Sequence, residues 1–308
     1  MKEKNRPLAS LLPSVLFSHQ HTFLNMKHIA FWVALLLSLC SKPLQSGAQQ
    51  PEQLPAADSL KLEALIDSIF HAPVYAARRQ VFLDSELAIV PHNAYLWQQK
   101  AMPLYKMHKY ETGKPYLDSA VKYNPVKYLD YRAFMKCIFS KEYREAINDF
   151  EAARRLNGNI GVMDHPYDFY EGLCYLQLNM FDSCTWYMDK CITQKTKTAG
   201  ADWVHPLHWF YKGIAAYEKE NFNMAITCFD SALARYPGFS DVQFYKALSL
   251  ERMGKREDAN VVMAEGLKNN RDGKTFNEDN IFYELYPYQV NPHTYAAYAA
   301  NMAKRKEE

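Results

Sequence analysis

The sequence predicts an all-α fold, a right-handed α-solenoid of about five antiparallel helix pairs. The first observation is a shared pattern in "YREAINDFEAARRL", which begins at Tyr143, and "FNMAITCFDSALARYP", which begins at Phe222. Large and small apolar residues recur there at offsets of 3, 7 and 10, which places them on one face of a helix. The second observation is composition: 48% hydrophobic, 14% aromatic and 23% charged residues argue against disorder and for a substantial core.

The same pattern occurs five times along the chain. Its first residues are Tyr110, Tyr143, Phe181, Phe222 and Arg256, spaced by 33, 38, 41 and 34 residues. Nine residues before each of them, a further helical stripe is centred on Ala101, Phe134, Gly172, Gly213 or Ala247. Small residues at a helix crossing let the two backbones approach to about 8 Å. Each unit is therefore predicted to be two antiparallel helices joined by a tight turn.

These residues resemble the tetratricopeptide repeat (TPR) motif, which is W-x2-L-G-x2-Y, then A-x3-F, then P, at a period of 34. The resemblance covers about residues 94–270 and departs from the motif at Phe134, a normally small site, and at Arg256, a normally aromatic one. It implies an array of helix pairs that serves as an interaction module. The best matches are Trp97, Ala101, Tyr110, Ala120 and Pro125, and Trp209, Gly213, Phe222, Ala225, Phe229, Ala232 and Pro237.

Four regions follow from these patterns: a targeting segment (1–48), a linker with flanking helices (49–93), the TPR-like array (94–270), and a C-terminal cap with a short helix (271–308). In the first region, Lys27 and His28 precede an apolar run of eleven residues, and the small residues Ser46-Gly47-Ala48 follow. That order predicts a signal peptide cleaved after Ala48, with Met26 as an alternative start.

Neither a membrane span nor nucleic-acid binding is predicted. The apolar run is too short to span a bilayer, which needs about 20 residues, so no membrane span is predicted. An alternative to cleavage after Ala48 is a lipid anchor at Cys40. The predicted location is secreted or periplasmic in a bacterium, with an outer-membrane lipoprotein as the alternative. Without residues 1–48 the net charge is near −2, which gives no electrostatic case for binding nucleic acid.

No catalytic motif is present, and the protein is predicted to be neither an enzyme nor a binder of a cofactor or metal. His165-Pro166 and His205-Pro206 occupy the same place at the start of two repeats, where proline suits a first helical turn. This favours a role at the helix start over a zinc site that includes His208. The cysteines Cys184 and Cys191 replace alanines of other repeats and are predicted to be small buried residues.

The aromatic C-terminal segment has two interpretations. A solenoid exposes an apolar flank at its last helix pair and needs a cap, so Phe282, Tyr283, Tyr286 and Tyr288 are expected to supply it. The alternative is that the segment folds back into the concave groove as an internal ligand.

In TPR arrays the first helix of each pair lines the concave face, and this face is predicted to bind an unidentified protein or peptide partner. The resulting hypothesis is a non-enzymatic interaction scaffold outside the cytoplasm. The alternative is a helical-repeat protein of the cell envelope that binds a small ligand or a glycan on exposed aromatic rings. The predicted partner-binding residues are Tyr95, Met102, Tyr105, Tyr128, Tyr131, Met135, Phe139, Phe169, Phe210, Ile214, Tyr217 and Phe244.

Overall fold

The computed structural model describes residues 60–61 and 73–304, so the predicted targeting segment lies outside the described residues. Two residue pairs, Gly161–Val162 and His165–Pro166, form a small antiparallel hairpin, β1 and β2. Twelve α-helices lie within 73–304: α1 (Ala77–Ile89), α2 (Ala94–Lys106), α3 (Tyr110–Tyr123), α4 (Pro125–Met135), α5 (Tyr143–Asn157), α6 (Tyr167–Gln177), α7 (Phe181–Ala199), α8 (Pro206–Glu218), α9 (Phe222–Leu233), α10 (Ser240–Arg252), α11 (Arg256–Arg271) and α12 (Pro292–Lys304).

The predicted helix pairs are confirmed. Repeats one to five are α2/α3, α4/α5, α6/α7, α8/α9 and α10/α11, and each helix packs chiefly against its neighbours in sequence. This stacking of helix pairs is an all-α solenoid, as the sequence predicts. In repeat two, α4 continues into a π-helical turn, Lys136–Ser140, before the chain reverses.

The turn inside every repeat has the same backbone geometry. Two residues before the start of the second helix, the chain enters the left-handed region, with φ between 57° and 78°. Glycine occupies this position only in repeat five, at Gly254, and the other repeats carry side chains there despite the steric cost. The five positions are His108, Lys141, Asn179, Glu220 and Gly254.

Small residues lie at the helix crossings, as expected. A Cβ atom added to Gly213 would lie 2.5 Å from the ring of Phe229, and one added to Gly172 would lie 2.6 Å from the end of Met188. Cys184 and Cys191 are buried on the facing surface of α7, and both thiols are free. The close approach of paired helices therefore depends on residues that have little or no side chain.

A buried ionic cluster joins repeats two and three. Arg154 of α5 donates hydrogen bonds to Asp168 (2.8 Å) and Glu171 of α6, and both carboxylates are inaccessible to solvent. Lys190 of α7 and Asn159 also donate to Asp168, at 2.9 and 2.8 Å. A buried carboxylate that lost its partners would strongly destabilise the fold. The ion pairs therefore favour the arrangement in which the three helices stay in contact.

The end of the array is closed by α12, and not by the four aromatic residues expected to do so. Tyr295 of α12 is fully buried, and its ring lies 5.0 Å from that of Phe244 on α10. Met302 belongs to the same apolar cluster, together with Val290 and Met263 of α11. The reason is geometric: an amphipathic helix can cover the whole apolar flank of α10 and α11, whereas the irregular segment before it follows another path.

Candidate functional site: a groove filled by the C-terminal loop

Residues 272–291, here called the C-terminal loop, leave α11 and return to α12 across the inner helices of the array. Both ends of the loop are joined at Asp241, near the start of α10. Its carboxylate accepts a hydrogen bond from the Thr275 hydroxyl (2.6 Å) and one from the backbone N–H of Val290 (2.7 Å). Burial raises the pKa of Asp241 to about 6, although these hydrogen bonds oppose the shift.

The outgoing half of the loop first packs on repeats four and three. Phe276 is buried, and its ring lies 5.5 Å from that of Phe210 and 5.3 Å from that of Phe239. Glu278 follows and is also buried, 3.2 Å from the ring nitrogen Nε2 of His165. The loop is thus anchored by one apolar and one charged residue before it reaches the first two repeats.

The tip of the loop lies against repeats one and two. Tyr110 donates a hydrogen bond to the carboxylate of Glu284, and His108 lies 3.2 Å from the same carboxylate. Lys141 donates to the backbone carbonyl oxygen of Leu285 at 3.0 Å. Lys141 holds the left-handed turn position of repeat two, so the turn geometry itself points this ammonium group at the loop.

The returning half crosses repeats three to five. Tyr286 is buried, with its ring 5.9 Å from that of Phe276, so the outgoing and returning halves contact each other. Tyr211 of α8 donates a hydrogen bond to the carbonyl oxygen of Pro287 at 3.0 Å. Tyr288 donates to Glu218 at 2.9 Å and packs on Tyr245. The array thus holds the loop through main-chain carbonyls as well as through aromatic side chains.

The twelve predicted partner-binding residues fall into three groups. Tyr95 alone among them is exposed, with 46% of its surface accessible. Met102, Tyr131 and Tyr217 are half-buried. The remaining eight are buried: Tyr105, Tyr128, Met135, Phe139, Phe169, Phe210, Ile214 and Phe244. Buried side chains have no surface to offer a partner while the loop and helices stay in place.

Several residues that hold the loop were not in the predicted set. In repeats four and five they are Tyr211 and Tyr245, each one position after the predicted Phe210 and Phe244. Consecutive residues of a helix point in directions about 100° apart, so Tyr211 and Tyr245 contact different neighbours from Phe210 and Phe244. A usable signal was the aromatic density of the loop itself, because such rings need buried partners.

The tip of the loop carries exposed apolar side chains. Phe282, which lies in a turn, is 86% exposed, and Leu285 is 48% exposed. Tyr75, which precedes α1, is 47% exposed and hydrogen-bonds Tyr283, which raises the pKa of Tyr75 to about 12. Lys106 lies over the Tyr283 ring at 4.2 Å. We call Tyr75, Phe282 and Leu285 the tip patch.

A second feature is a histidine cluster where the loop passes repeats three and four. The rings of His165 and His205 lie 4.8 Å apart, and Glu278 lies beside both. His205 also caps α8, because its Nδ1 accepts a hydrogen bond from the backbone N–H of Leu207 at 3.3 Å. The expected role at the helix start is therefore present at His205. The proximity of His165, His205 and Glu278 was not foreseen.

With this geometry in view, comparison with solved structures shows the TPR fold. A tetratricopeptide repeat protein from Parabacteroides merdae ATCC 43184 is similar, with a TM-score of 0.57 at 16% identity, over 82% of this chain and 89% of that chain. PilW, a type IV pilus biogenesis factor, gives a TM-score of 0.53 at 12% identity, over 70% of this chain and 95% of its own. Yeast Tom70 gives 0.52 at 12% identity, over 81% of this chain and 47% of its own.

Such low identities establish a shared fold and nothing about partners. No protein-family model matches the sequence. The comparison with curated proteins gives no match. Within the described residues, none of the helices combines the length and apolar character that crossing a bilayer requires.

Proposed function

We propose that this protein is a non-enzymatic scaffold that works outside the cytoplasm and binds a protein partner on the inner side of its helical array. The observation that carries the proposal is the tip patch. Three large apolar side chains there have 47%, 86% and 48% of their surface exposed, although the rest of the loop is firmly anchored. Exposed apolar residues grouped on a rigid support are typical of protein-binding surfaces.

The way in which the array holds the loop supports this proposal. It is an irregular peptide segment, and the helices hold it by donating hydrogen bonds to its carbonyl oxygens and by packing rings on its aromatic residues. In the proposal, the loop forms the floor of the site and the partner contacts its outer side. Displacing the loop would expose Phe276 and Tyr286, and burial of each such side chain stabilises the fold by about 1.5–3 kcal/mol.

The charge of Lys106 favours a partner with an apolar segment beside an acidic group. Lys106 lies over the Tyr283 ring at the tip, whereas Lys141 is paired with Glu284 of the loop at 3.5 Å. The positive charge of Lys106 would steer an acidic group towards the patch and contribute mainly to the rate of association.

Site-specific photocrosslinking tests this function. A photoreactive phenylalanine analogue replaces Phe282 in one variant and Trp186, which is 59% exposed on α7, in a control variant. In the native cell envelope, we expect a discrete crosslinked protein with the analogue at 282 and none at 186. The double variant Phe282→Ala/Leu285→Ala should reduce recovery of that partner about tenfold or more, the usual effect of losing central apolar contacts. Equal recovery with this variant would reject the patch as the binding surface.

The glycan alternative makes a different prediction in the same protein. A platform for sugar rings in the groove would require exposed inner aromatics, and most of the predicted inner aromatics are buried. Envelope polysaccharides immobilised on a resin should therefore not retain the chain. If the resin retains the unmodified chain but not the Phe282→Ala/Leu285→Ala variant, the partner is a glycan and not a protein.

The proposed location rests on the sequence of residues 26–48. N-terminal sequencing of the protein purified from its native cells tests it directly. A first residue of Gln49 supports cleavage by a signal peptidase, and a blocked N-terminus at Cys40 supports a lipid anchor. A chain that retains Met1 or Met26 would contradict export.

A further inference from the structure

We propose that His165, His205 and Glu278 form a zinc site that fastens the C-terminal loop to repeats three and four. The site is independent of the proposed partner-binding function, because it needs no contact with the tip patch. The site derives from a feature of the repeat: a His-Pro pair lies at the start of both repeat three and repeat four. Stacking the two repeats brings equivalent positions side by side.

The ligand atoms lie slightly farther apart than in a zinc site. Nε2 of His165 lies 3.2 Å from Oε1 of Glu278, and Nε2 of His205 lies 4.0 Å from the same oxygen. One ligand atom from each of the three residues lies within 4.8 Å of the others. Zinc bonds of about 2.0–2.1 Å in a tetrahedron place ligand atoms about 3.3 Å apart, so small side-chain rotations close the site.

The donor set also suits zinc. Two imidazoles and one carboxylate are ligands that Zn²⁺ accepts in tetrahedral sites, with a fourth position left for water. Coordination through Nε2 of His205 requires the ring proton on Nδ1, so zinc binding would end the hydrogen bond from the Leu207 N–H to that nitrogen. A cavity of about 400 Å³, lined by His205 and Asn277 among others, adjoins the site and gives room for the water.

A separate observation is that one buried histidine of this cluster lacks a hydrogen-bond partner. His208 is 4% exposed, and neither of its ring nitrogens has a hydrogen-bond partner. Its ring lies 5.8 Å from that of His165 and 6.0 Å from that of His205. A buried polar side chain without a hydrogen bond is costly, and a metal-bound water hydrogen-bonded to His208 would offset that cost. Lys195 is a nearby positive charge that disfavours a bound cation, whereas the negative charge of Glu278 favours one.

The consequence is a mechanical link across three parts of the chain. His165 precedes α6, His205 precedes α8, and Glu278 belongs to the loop, so one ion would join two repeats to the loop. Because a site assembled from distant segments exists only in the folded chain, the free energy of metal binding adds to the stability of the loop.

The test uses the full chain, purified without a histidine tag and treated with a chelator. Titration with Co²⁺ should give the visible absorption of a tetrahedral centre at one equivalent per chain, and Zn²⁺ should displace it. Hydrogen exchange at 276–290 should slow when Zn²⁺ is added, which reports on the loop and not on metal binding alone.

Two ligand variants and two controls make the test specific. His205→Asn removes the ligand but keeps a side chain that can cap α8, and Glu278→Gln keeps the hydrogen bond to His165. Each should weaken Zn²⁺ binding about tenfold or more, since even residues that only orient a metal ligand contribute about 10–100-fold. His293→Ala and Glu284→Gln, which lie away from the site, should bind Zn²⁺ normally. Absence of tetrahedral Co²⁺ binding in the unmodified chain, or equal binding in both ligand variants, would overturn the proposal.

Discussion

At the scale of single residues, the fold requires glycine for two reasons: close contact at a helix crossing and a left-handed backbone in a turn. Gly213 sits where α8 crosses α9, and a methyl group there would lie 2.5 Å from the ring of Phe229 and 3.2 Å from the Cβ of Cys228. Gly254 has no neighbour within 4 Å of such a methyl group, but its φ of 78° is one that other residues adopt at a cost. The two glycines therefore serve different physical requirements.

The same substitution at both glycines separates crowding from strain. Gly213→Ala should lower the free energy of unfolding by about 1–3 kcal/mol, because two packed helices must move apart. Gly254→Ala should lower it by about 1 kcal/mol through backbone strain alone. Urea denaturation measures both values. A Gly213→Ala variant as stable as the unmodified chain would mean that the crossing of α8 and α9 tolerates a methyl group.

At the scale of elements, Asp241 joins the two ends of the C-terminal loop. It is fully buried at the start of α10 and accepts hydrogen bonds from both ends of the loop, at Thr275 and Val290. Its carboxylate has no cationic partner among the interactions that shift its pKa, so ionisation costs energy in the folded state. Burial therefore favours the protonated form, whereas the hydrogen bonds from Thr275 and Val290 favour the ionised form.

The stability contribution of Asp241 should fall as the pH rises. Its pKa is raised from 3.8 to about 6 on folding, so the folded state binds a proton that the unfolded state has lost between those values. The contribution is complete below about pH 4, declines up to about pH 6 and is constant above, for a change of about 2–3 kcal/mol.

Comparison with Asp241→Asn measures this effect, because the amide cannot titrate. The difference in unfolding free energy between the unmodified chain and this variant should decrease by that amount from pH 4 to pH 7. Asp279→Asn, which removes a carboxylate from an exposed residue of the same loop, is the control. A difference that does not change with pH would show that Asp241 stays ionised throughout.

At the scale of the whole molecule, the loop changes how the array unfolds. In a simple solenoid each repeat contacts only its neighbours, so distant repeats influence one another weakly. Here one segment contacts Tyr110 in repeat one, Lys141 in repeat two and Tyr211 in repeat four. The loop thus couples repeats that do not touch each other, and unfolding should be more cooperative than in an array without it.

Tyr286→Ala tests this coupling. The side chain is buried between the two halves of the loop, and its removal should lower the free energy of unfolding by about 3–5 kcal/mol. Calorimetry should show a broader transition at lower temperature, because the repeats then unfold more independently. Phe282→Ala, in the same loop but 86% exposed, should leave the transition unchanged. If both variants unfold alike, the loop is not a coupling element.

The sequence by itself determined the fold and its repeat. The spacing of aromatic and small residues defines the faces of each helix, and these faces admit essentially one way of packing, so the five helix pairs of residues 94–271 were predictable. Helix pairing is a local matter between segments close in the chain. The burial of Cys184 and Cys191 followed from the same periodicity.

Only the tertiary structure decided what covers the inner face. The C-terminal loop has no periodicity, so nothing in its local sequence indicates the direction in which it leaves α11. Its path is set by contacts between residues far apart in the chain, such as Tyr110 with Glu284 and Asp241 with Val290. The same long-range contacts bring Glu278 to His165 and His205, and they leave Phe282 exposed. The repeating pattern determines how the helices stack, whereas the irregular C-terminal loop takes its position from contacts with the stacked helices.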